Sequence, residues 1–343
     1  MVDERDQDRE QGRDPHRGKG RKRPREVGPE DGRRELDAAL EDLRLEIRAR
    51  FGARAPRPEA TAEIDWIALF EELRRRVNAF GIAERSGEVD EFGADDVVLQ
   101  RSRRFWDFLQ DRWWRIDVQG LEHLPAAGPC LLVANRSGLL PYDGIMIAHA
   151  IQRAHPAHPL PRFLVADWLI TLPFMQPYLA RIGGVRASRE NAERLLARGD
   201  FVVAFPEGVK GAAKPFRDRY RLQRFGRGGV IRLARDSGAP LVPVAVVGAE
   251  EAHPVLFKVE TLARSVGLPF VPVTPTFPLL GPAGLLPLPS KWTIRVGAPL
   301  SLHGLGGDRV EDELLISRLT QELRSEIQTM VDDGVRSRES VWG

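Results

Sequence analysis

The segment from Asn135 to Asp143 places a cation and an acid close together after a predicted buried strand. It reads Asn-Arg-Ser-Gly-Leu-Leu-Pro-Tyr-Asp and follows the apolar run Cys130–Ala134. A guanidinium stays protonated at neutral pH, so Arg136 cannot act as a general base. It can instead bind a phosphate bidentately, donate to an oxyanion, or pair with Asp143. Asp143 also stands at a predicted helix start, where a carboxylate is common for purely structural reasons.

Three further motifs follow in chain order. The first is Gly183–Arg186 with Ser188–Asn191 directly after it, and its arginines are candidates for binding a phosphate. The second is Phe205–Gly208, in which Pro and Gly flank an acid and favour a tight turn at the end of a strand. The third, Val242–Gly248, is an apolar Val-Pro-Val run that ends in Gly. In α/β sheets ligands bind at the carboxyl ends of strands, so Glu207 is either a binding residue or a solvated acid in a turn.

The order, spacing and strand–loop context of the four motifs resemble the glycerolipid acyltransferase family, the PlsC-like or 1-acylglycerol-3-phosphate acyltransferase group. The resemblance covers about residues 114–300. It implies transfer of a fatty acyl group from an acyl-CoA or acyl-carrier-protein thioester to a lysophospholipid hydroxyl at a membrane surface. It implies no bound cofactor. In that family a His takes the proton of the attacking hydroxyl, and an Asp orients the His.

The resemblance assigns the catalytic positions to Asp143 and to Arg136, which stands in place of the usual His. Six residues separate the two, against four in the common family pattern, and a subgroup with the longer Ser-Gly-x-x-Pro-x-Asp form is similar to this chain. A structural ion pair between the two is the alternative interpretation. The resemblance assigns substrate binding to Glu207, Gly208, Arg186, Arg189, Ser137 and Lys210. Loss of the His leaves two functions open: an acyltransferase, or a pseudoenzyme that binds lipid or acyl donor without turnover.

The five histidines between residues 114 and 300 have no acidic partner at a recognisable sequence spacing. We therefore expect ordinary surface or structural roles for them. His149 lies six residues after Asp143, on a different face of the predicted helix. His253 follows the motif Val242–Gly248 and could reach the mouth of a cleft. The other histidines are His123, His155 and His158. Without a replacement base, transfer is expected to slow by about 10²–10⁴-fold. No cluster of His and Cys has the spacing of metal ligands, so no metal is expected.

A basic stretch between the motifs Phe205–Gly208 and Val242–Gly248 has three possible roles. Its cations alternate with aromatic residues, a composition found in solvated faces, in lipid-headgroup contacts and in single-stranded nucleic-acid binders. Because acyltransferase-like motifs flank it, headgroup or phosphate contact is preferred and nucleic acid is not expected. The cations are Lys210, Lys214, Arg217, Arg219, Arg221, Arg224 and Arg227, interleaved with Phe216, Tyr220 and Phe225.

Composition favours a protein without a disulfide framework or a membrane span. The chain has 343 residues, a net charge of +2 and a single cysteine, Cys130, which suits a reducing compartment. Residues 1–36 are charged and lack the apolar run of a signal peptide, so we expect a disordered tail. No stretch is long and apolar enough for a transmembrane helix. These features predict a cytoplasmic protein, peripheral to an anionic membrane surface, and leave its oligomeric state open.

Hydrophobic periodicity predicts an α/β domain with a mostly parallel sheet flanked by helices. The predicted domains are the tail 1–36, a helical region 37–113, an acyltransferase-like domain 114–301, and a C-terminal helix and tail 302–343. A helix from Asp95 to Trp113 is expected to face inward through Val98, Phe105 and Phe108, or to contact lipid through its tryptophans. The uncharged, proline-rich residues 265–290 are either a packed loop or a lipid-facing wedge. The predicted strands are Arg115–Val118, Cys130–Ala134, Phe163–Ala166, Phe201–Phe205, Leu241–Val247 and Trp292–Val296.

Overall fold

The computed structural model describes residues 89–138, 140–156, 158–170, 175–265, 269–302, 309–338 and 340. The predicted tail and the part of the predicted helical region before residue 89 lie outside the described residues, and the domain boundaries stay predictions. In the described part of the chain, no helix has the combination of length and apolar character that crossing a bilayer requires.

A sheet of seven strands forms the centre of the fold, and it is mostly parallel, as predicted. Its strand order is β1-β9-β6-β2-β5-β3-β4, and the β6–β9 pair is the antiparallel one. A separate antiparallel pair, β7–β8, lies outside it. The strands are β1 Asp117–Gln119, β2 Cys130–Ala134, β3 Arg162–Val165, β4 Gly184–Arg186, β5 Phe201–Ala204, β6 Leu241–Val247, β7 Phe257–Val259, β8 Val271–Val273 and β9 Thr293–Val296.

Helices cover both faces of the sheet. Alternate residues of β2 point to opposite faces, with Leu132 in one hydrophobic core and Leu131 in the other. A strand that is buried on both faces reads as a continuous apolar run, which explains why β2 and β6 were predicted to the residue. Helices α1, α2 and α4 pack on the first face, and α5, α7 and α9 pack on the second. The helices are α1 Asp96–Phe108, α2 Tyr142–Ala154, α3 Asp167–Ile170, α4 Met175–Arg181, α5 Arg189–Ala197, α6 Gly208–Ala212, α7 Gly229–Ser237, α8 Glu260–Ser265 and α9 Arg309–Arg336.

The prediction for α1 was correct in position, and its inward residues were correct for Val98 but wrong for Phe105 and Phe108. The helix begins at Asp96 and continues through a π-helical turn at Leu109–Trp113. Phe105 and Phe108 are 52% and 48% exposed, not inward. From Val98 the buried stripe continues through Trp106 and Leu109, not through the two phenylalanines. Trp106 packs against Tyr178 of α4, so the larger indole takes the core position.

The tryptophans predicted as lipid contacts are largely buried. Trp114 has no exposed surface and stacks on Trp292 with ring centroids 4.2 Å apart. The indole nitrogens of Trp113 and Trp114 donate to the carbonyls of Pro287 and Leu288. These residues therefore anchor the proline-rich segment to the domain.

Candidate active site

The four motifs meet because each contains or directly follows a strand of the parallel sheet. Strands β2, β3, β4, β5 and β6 run in the same direction, so their carboxyl ends lie at one edge. Asn135 follows β2 and binds Val246 of β6 through both ends of its amide, at 2.9 and 2.7 Å. This pair of hydrogen bonds fixes the start of the loop that carries Arg136.

Arg136 and Asp143 form a buried ion pair. Nη1 of Arg136 lies 2.5 Å from Oδ1 of Asp143, and both side chains are buried. Oδ1 also accepts from the backbone nitrogen of Gly144 at 2.8 Å. Oδ2 accepts from the backbone nitrogen of Ser137 at 2.9 Å and from its hydroxyl at 3.3 Å. Asp143 therefore closes the loop onto the first turn of α2 and holds the guanidinium in one position.

Glu207 supports Arg136 from the neighbouring strand end. Its Oε1 accepts from the backbone nitrogen of Arg136 at 2.8 Å, and its Oε2 accepts from that of Gln223 at 2.6 Å. Gly208 has φ +57, the left-handed conformation that lets the chain turn directly from β5 into α6. A Cβ on Gly211 would lie 2.8 Å from Cβ of Arg136, so this glycine permits α6 to pack against the loop.

Behind Glu207 lies a buried charge network that the sequence did not indicate. Nζ of Lys214 lies 2.7 Å from Oε1 of Glu250 and 3.6 Å from Oε2 of Glu207. Oε2 of Glu250 accepts from the backbone nitrogen of Tyr220 at 2.8 Å. Burial raises the pKa of both Glu207 and Glu250, and the Lys214 ammonium opposes that rise. Lys214 is therefore an internal cation rather than the exposed headgroup contact that its place in the basic stretch predicted.

A mostly apolar cavity of about 410 Å³ opens beside Arg136. Such a volume is typical of small-ligand sites. The guanidinium of Arg136 lies 5.0 Å from the centroid of the Phe205 ring, which also lines the cavity. Exposed Arg189 and Arg227 line it as well, so cations stand at its rim while Arg136 is buried inside. The apolar lining includes Leu164, Trp168, Ala192, Val209, Phe225, Val230 and Leu233.

The structure brings together some predicted site residues and separates others. Arg136, Ser137, Asp143 and Glu207 form one hydrogen-bonded cluster, and Gly208 lines the adjoining cavity. Arg189 lines the same cavity and pairs with Glu193 at 2.6 Å and Asp236 at 2.7 Å.

The other two predicted cations lie on the surface. Arg186 makes a two-point pair with Asp167, at 2.9 and 3.0 Å, and both side chains are more than half exposed. Lys210 is exposed on α6. His149 has an acidic partner that its sequence spacing did not indicate, since its Nε2 lies 3.0 Å from Oδ1 of Asp107. That partner lies on α1, far away in the sequence, and His149 lines a separate cavity.

Among the described residues, no group of three or more His, Cys, Asp or Glu side chains is arranged to hold a metal ion.

Comparison with known proteins gives the family. Residues 115–247 match the family model described as Acyltransferase. An uncharacterized protein of Mycobacterium leprae is 45% identical over 244 residues, which cover 70% of this chain and 66% of the relative. An uncharacterized protein of Mycobacterium tuberculosis is 44% identical over 244 residues, which cover 70% of this chain and 67% of the relative. The aligned part of this chain thus spans about two thirds of these relatives' length.

Two further comparisons are more distant. Phytyl ester synthase 2, chloroplastic, of Arabidopsis thaliana is 30% identical over 140 residues, 39% of this chain and 20% of that protein. The crystal structure of the 1-acyl-sn-glycerophosphate acyltransferase PlsC from Thermotoga maritima covers 90% of this chain and 99% of its own, with a TM-score of 0.43 and 15% identity. A likeness of that size supports no inference. Arg136, Asp143 and Glu207 all lie within the residues matched by the family model, and this chain belongs to the acyltransferase family.

Proposed function

We propose that this protein transfers a fatty acyl group from an acyl-CoA or acyl-carrier-protein thioester to a hydroxyl of a glycerolipid-type acceptor, such as a lysophospholipid. The observation that carries the proposal is the buried Arg136–Asp143 pair beside an apolar cavity of about 410 Å³. The cavity suits an acyl chain, and the fixed cation next to it suits the charge that develops when an alcohol attacks a thioester. The name of the phytyl ester synthase relative agrees with ester formation.

Within this proposal, the Arg136 guanidinium stabilises the oxyanion on the thioester carbon. Asp143 and Glu207 act as positioning residues, because their oxygens hold the side chain and the backbone of Arg136. Arg189 and Arg227 at the cavity rim bind the phosphate of the acceptor or donor. A lysophosphatidate-like acceptor would then lie with its phosphate at the rim and its hydroxyl near Arg136.

The exposed leucines of the proline-rich segment support a membrane surface as the place of reaction. Leu279, Leu280 and Leu286 are 84%, 62% and 68% exposed. The backbone nitrogens of Leu280, Gly281 and Leu286 donate to carbonyls within the same segment. A loop that satisfies its own backbone groups can enter the lipid interface at little cost. We therefore propose peripheral attachment at the cytoplasmic face of an anionic membrane.

The test is acceptor-dependent release of free thiol from a series of acyl-CoA donors of four to eighteen carbons. We expect turnover by the native protein and a preference for long chains. Val209, which is partly exposed and lines the cavity, is replaced by Trp to shorten the acyl site. Val209→Trp is expected to lower kcat/KM for long donors at least tenfold and to leave short donors nearly unchanged. Equal loss for all chain lengths would contradict the acyl-chain assignment.

A pseudoenzyme that binds lipid without turnover is the second candidate. The same Arg136–Asp143 pair favours it, because the guanidinium is bound to the Asp143 carboxylate that would otherwise orient a catalytic His. A native protein that is silent with every donor and acceptor, together with activity in Arg136→His, would establish this alternative.

A further inference from the structure

The acyl transfer proposed above needs a proton acceptor, and the carboxylates of the site are poor candidates. Both oxygens of Asp143 accept hydrogen bonds, from Arg136, Ser137 and Gly144. Both oxygens of Glu207 accept from backbone nitrogens. Both oxygens of Glu250 are used by Lys214 and by the backbone of Tyr220. Carboxylate oxygens that already accept hydrogen bonds from the protein are poorly placed to accept the proton of a substrate hydroxyl.

His253 differs from these groups because one of its ring nitrogens is held and the other is not. Nε2 lies 2.7 Å from the carbonyl oxygen of Leu285. A carbonyl only accepts, so Nε2 carries the hydrogen and the neutral ring presents its lone pair at Nδ1. In the described part of the chain, no hydrogen bond to Nδ1 is found. The ring stacks parallel on Tyr142, the sequence neighbour of Asp143, with ring centroids 5.7 Å apart. This contact fixes the plane of the imidazole.

The cavity beside His253 adjoins the cluster around Arg136. Its volume is about 10 Å³, close to the space that one water oxygen requires. Ser137, Lys214 and Glu250 line it together with His253. Ala212 lines both this cavity and the larger apolar one, so the two adjoin at the short helix α6. A hydroxyl that enters the small cavity would lie between His253 and Ser137, beside the cluster around Arg136.

The surroundings keep the imidazole neutral. The charged groups that line its cavity are Lys214 and Glu250, which pair with each other at 2.7 Å and so largely offset one another. The other titratable neighbour is Tyr142, and burial raises the pKa of its phenol to about 12, so it stays uncharged. Burial lowers the pKa of His253 below its usual value of 6.5. A neutral imidazole at pH 7 is the form that a general base requires.

We propose that His253 is the general base of the acyl transfer, taking the role that Arg136 cannot perform. This assignment rests on the proposed acyltransferase function. Nδ1 of His253 accepts the proton of the acceptor hydroxyl as the hydroxyl oxygen attacks the thioester carbon. The tetrahedral oxyanion is stabilised by Arg136. It then collapses with cleavage of the carbon–sulfur bond, and the imidazolium returns its proton to the leaving thiolate. The products are the ester and the free thiol.

The decisive variant is His253→Gln, because the Gln amide keeps a donor for the Leu285 carbonyl and lacks the basic nitrogen. Rates are measured with palmitoyl-CoA and the best acceptor among lysophosphatidate, monoacylglycerol and a long-chain alcohol. We expect kcat to fall by about 10²–10⁴-fold with donor affinity unchanged. His123→Gln is the matched control, since His123 also contacts a backbone carbonyl, that of Val296, at 3.0 Å and lies outside the site. It is expected to keep the native rate.

Two further measurements separate a base from a structural residue. The native rate should fall toward acid with the same pKa that NMR gives for His253, and His253→Gln should lack this limb.

The possible outcomes are distinct. An active native enzyme whose rate survives His253→Gln, with its acid limb intact, overturns the base assignment and leaves the acyltransferase function standing. A native protein without turnover overturns both. If His253→Gln does not fold, the match between the NMR titration of His253 and the native pH–rate profile decides, and a mismatch overturns the proposal.

Discussion

Arg136, which pairs with Asp143, places a permanent positive charge in the interior rather than a group that can accept a proton. Buried ion pairs are costly to break, since removal of one partner leaves an uncompensated charge in a low dielectric. Asp143 here binds the guanidinium and two backbone nitrogens at once. The main effect of the pair is therefore to fix the position of Arg136 and of the loop that carries it.

Asp143→Asn is expected to lower the free energy of unfolding by about 3–5 kcal/mol, because it leaves the Arg136 charge buried and unpaired. Urea denaturation at pH 7 measures this value. Asp167→Asn is the matched control, because it breaks an exposed arginine–aspartate pair with Arg186 and should change stability little. Similar losses in the two variants would show that the Arg136–Asp143 pair is not the anchor described here.

For single residues, the sequence predicted a contact whose two partners lie close together along the chain. Arg136 and Asp143 are seven positions apart, on a loop and on the first turn of the helix that follows it, and their pairing was one of the predicted alternatives. Lys214 with Glu250, and His149 with Asp107, were not predictable, because each pair joins distant parts of the chain that only the fold brings together. The basic composition around Lys214 instead suggested a solvated or headgroup-binding face.

The parallel strands are the elements that assemble the site. Long apolar runs such as Leu241–Val247 were predicted correctly, because central strands are buried on both faces. The three-residue strands β4, β7 and β8 were missed, since so few residues show no periodicity. Strand β8 lies within the segment whose prolines indicated a loop, and prolines are tolerated in a short two-stranded pair.

The proline-rich segment is both a packed loop and an exposed apolar surface. We expect Leu279→Glu combined with Leu280→Glu to weaken binding to anionic phospholipid vesicles at least tenfold, because the charges oppose entry into the interface. Vesicle sedimentation measures binding, and a water-soluble short-chain donor and acceptor measure residual activity, which should persist. Leu314→Glu is the control, since Leu314 is 69% exposed on α9, outside this segment. Equal effects of Leu314→Glu and the double variant would contradict the proposal.

For the whole molecule, two hydrophobic cores on opposite faces of one sheet make stability sensitive to buried titratable groups. Burial lowers the pKa of His149 and of His253 below 6.5. Between 6.5 and the folded-state pKa, the unfolded chain binds more protons than the folded one. The free energy of unfolding therefore falls as the pH falls through this range, by up to about 1.4 kcal/mol per pH unit for each group.

His253→Gln should make this loss shallower, since one of the two groups no longer titrates. Urea denaturation of the native protein and the variant at pH 7.5, 6.5 and 5.5 gives the two slopes. Other groups titrate in both proteins, so the difference between the slopes isolates His253. Parallel slopes would show that His253 is not held neutral by burial.

The most direct measurement is single-turnover transfer of a deuterated palmitoyl group from its CoA thioester, with the native protein in excess over the donor. Mass spectrometry of the products should find the label as an ester on the acceptor, with one free thiol formed per ester, despite the guanidinium at position 136. Label that stays in the thioester, or appears only as free palmitate, would contradict acyl transfer by this protein.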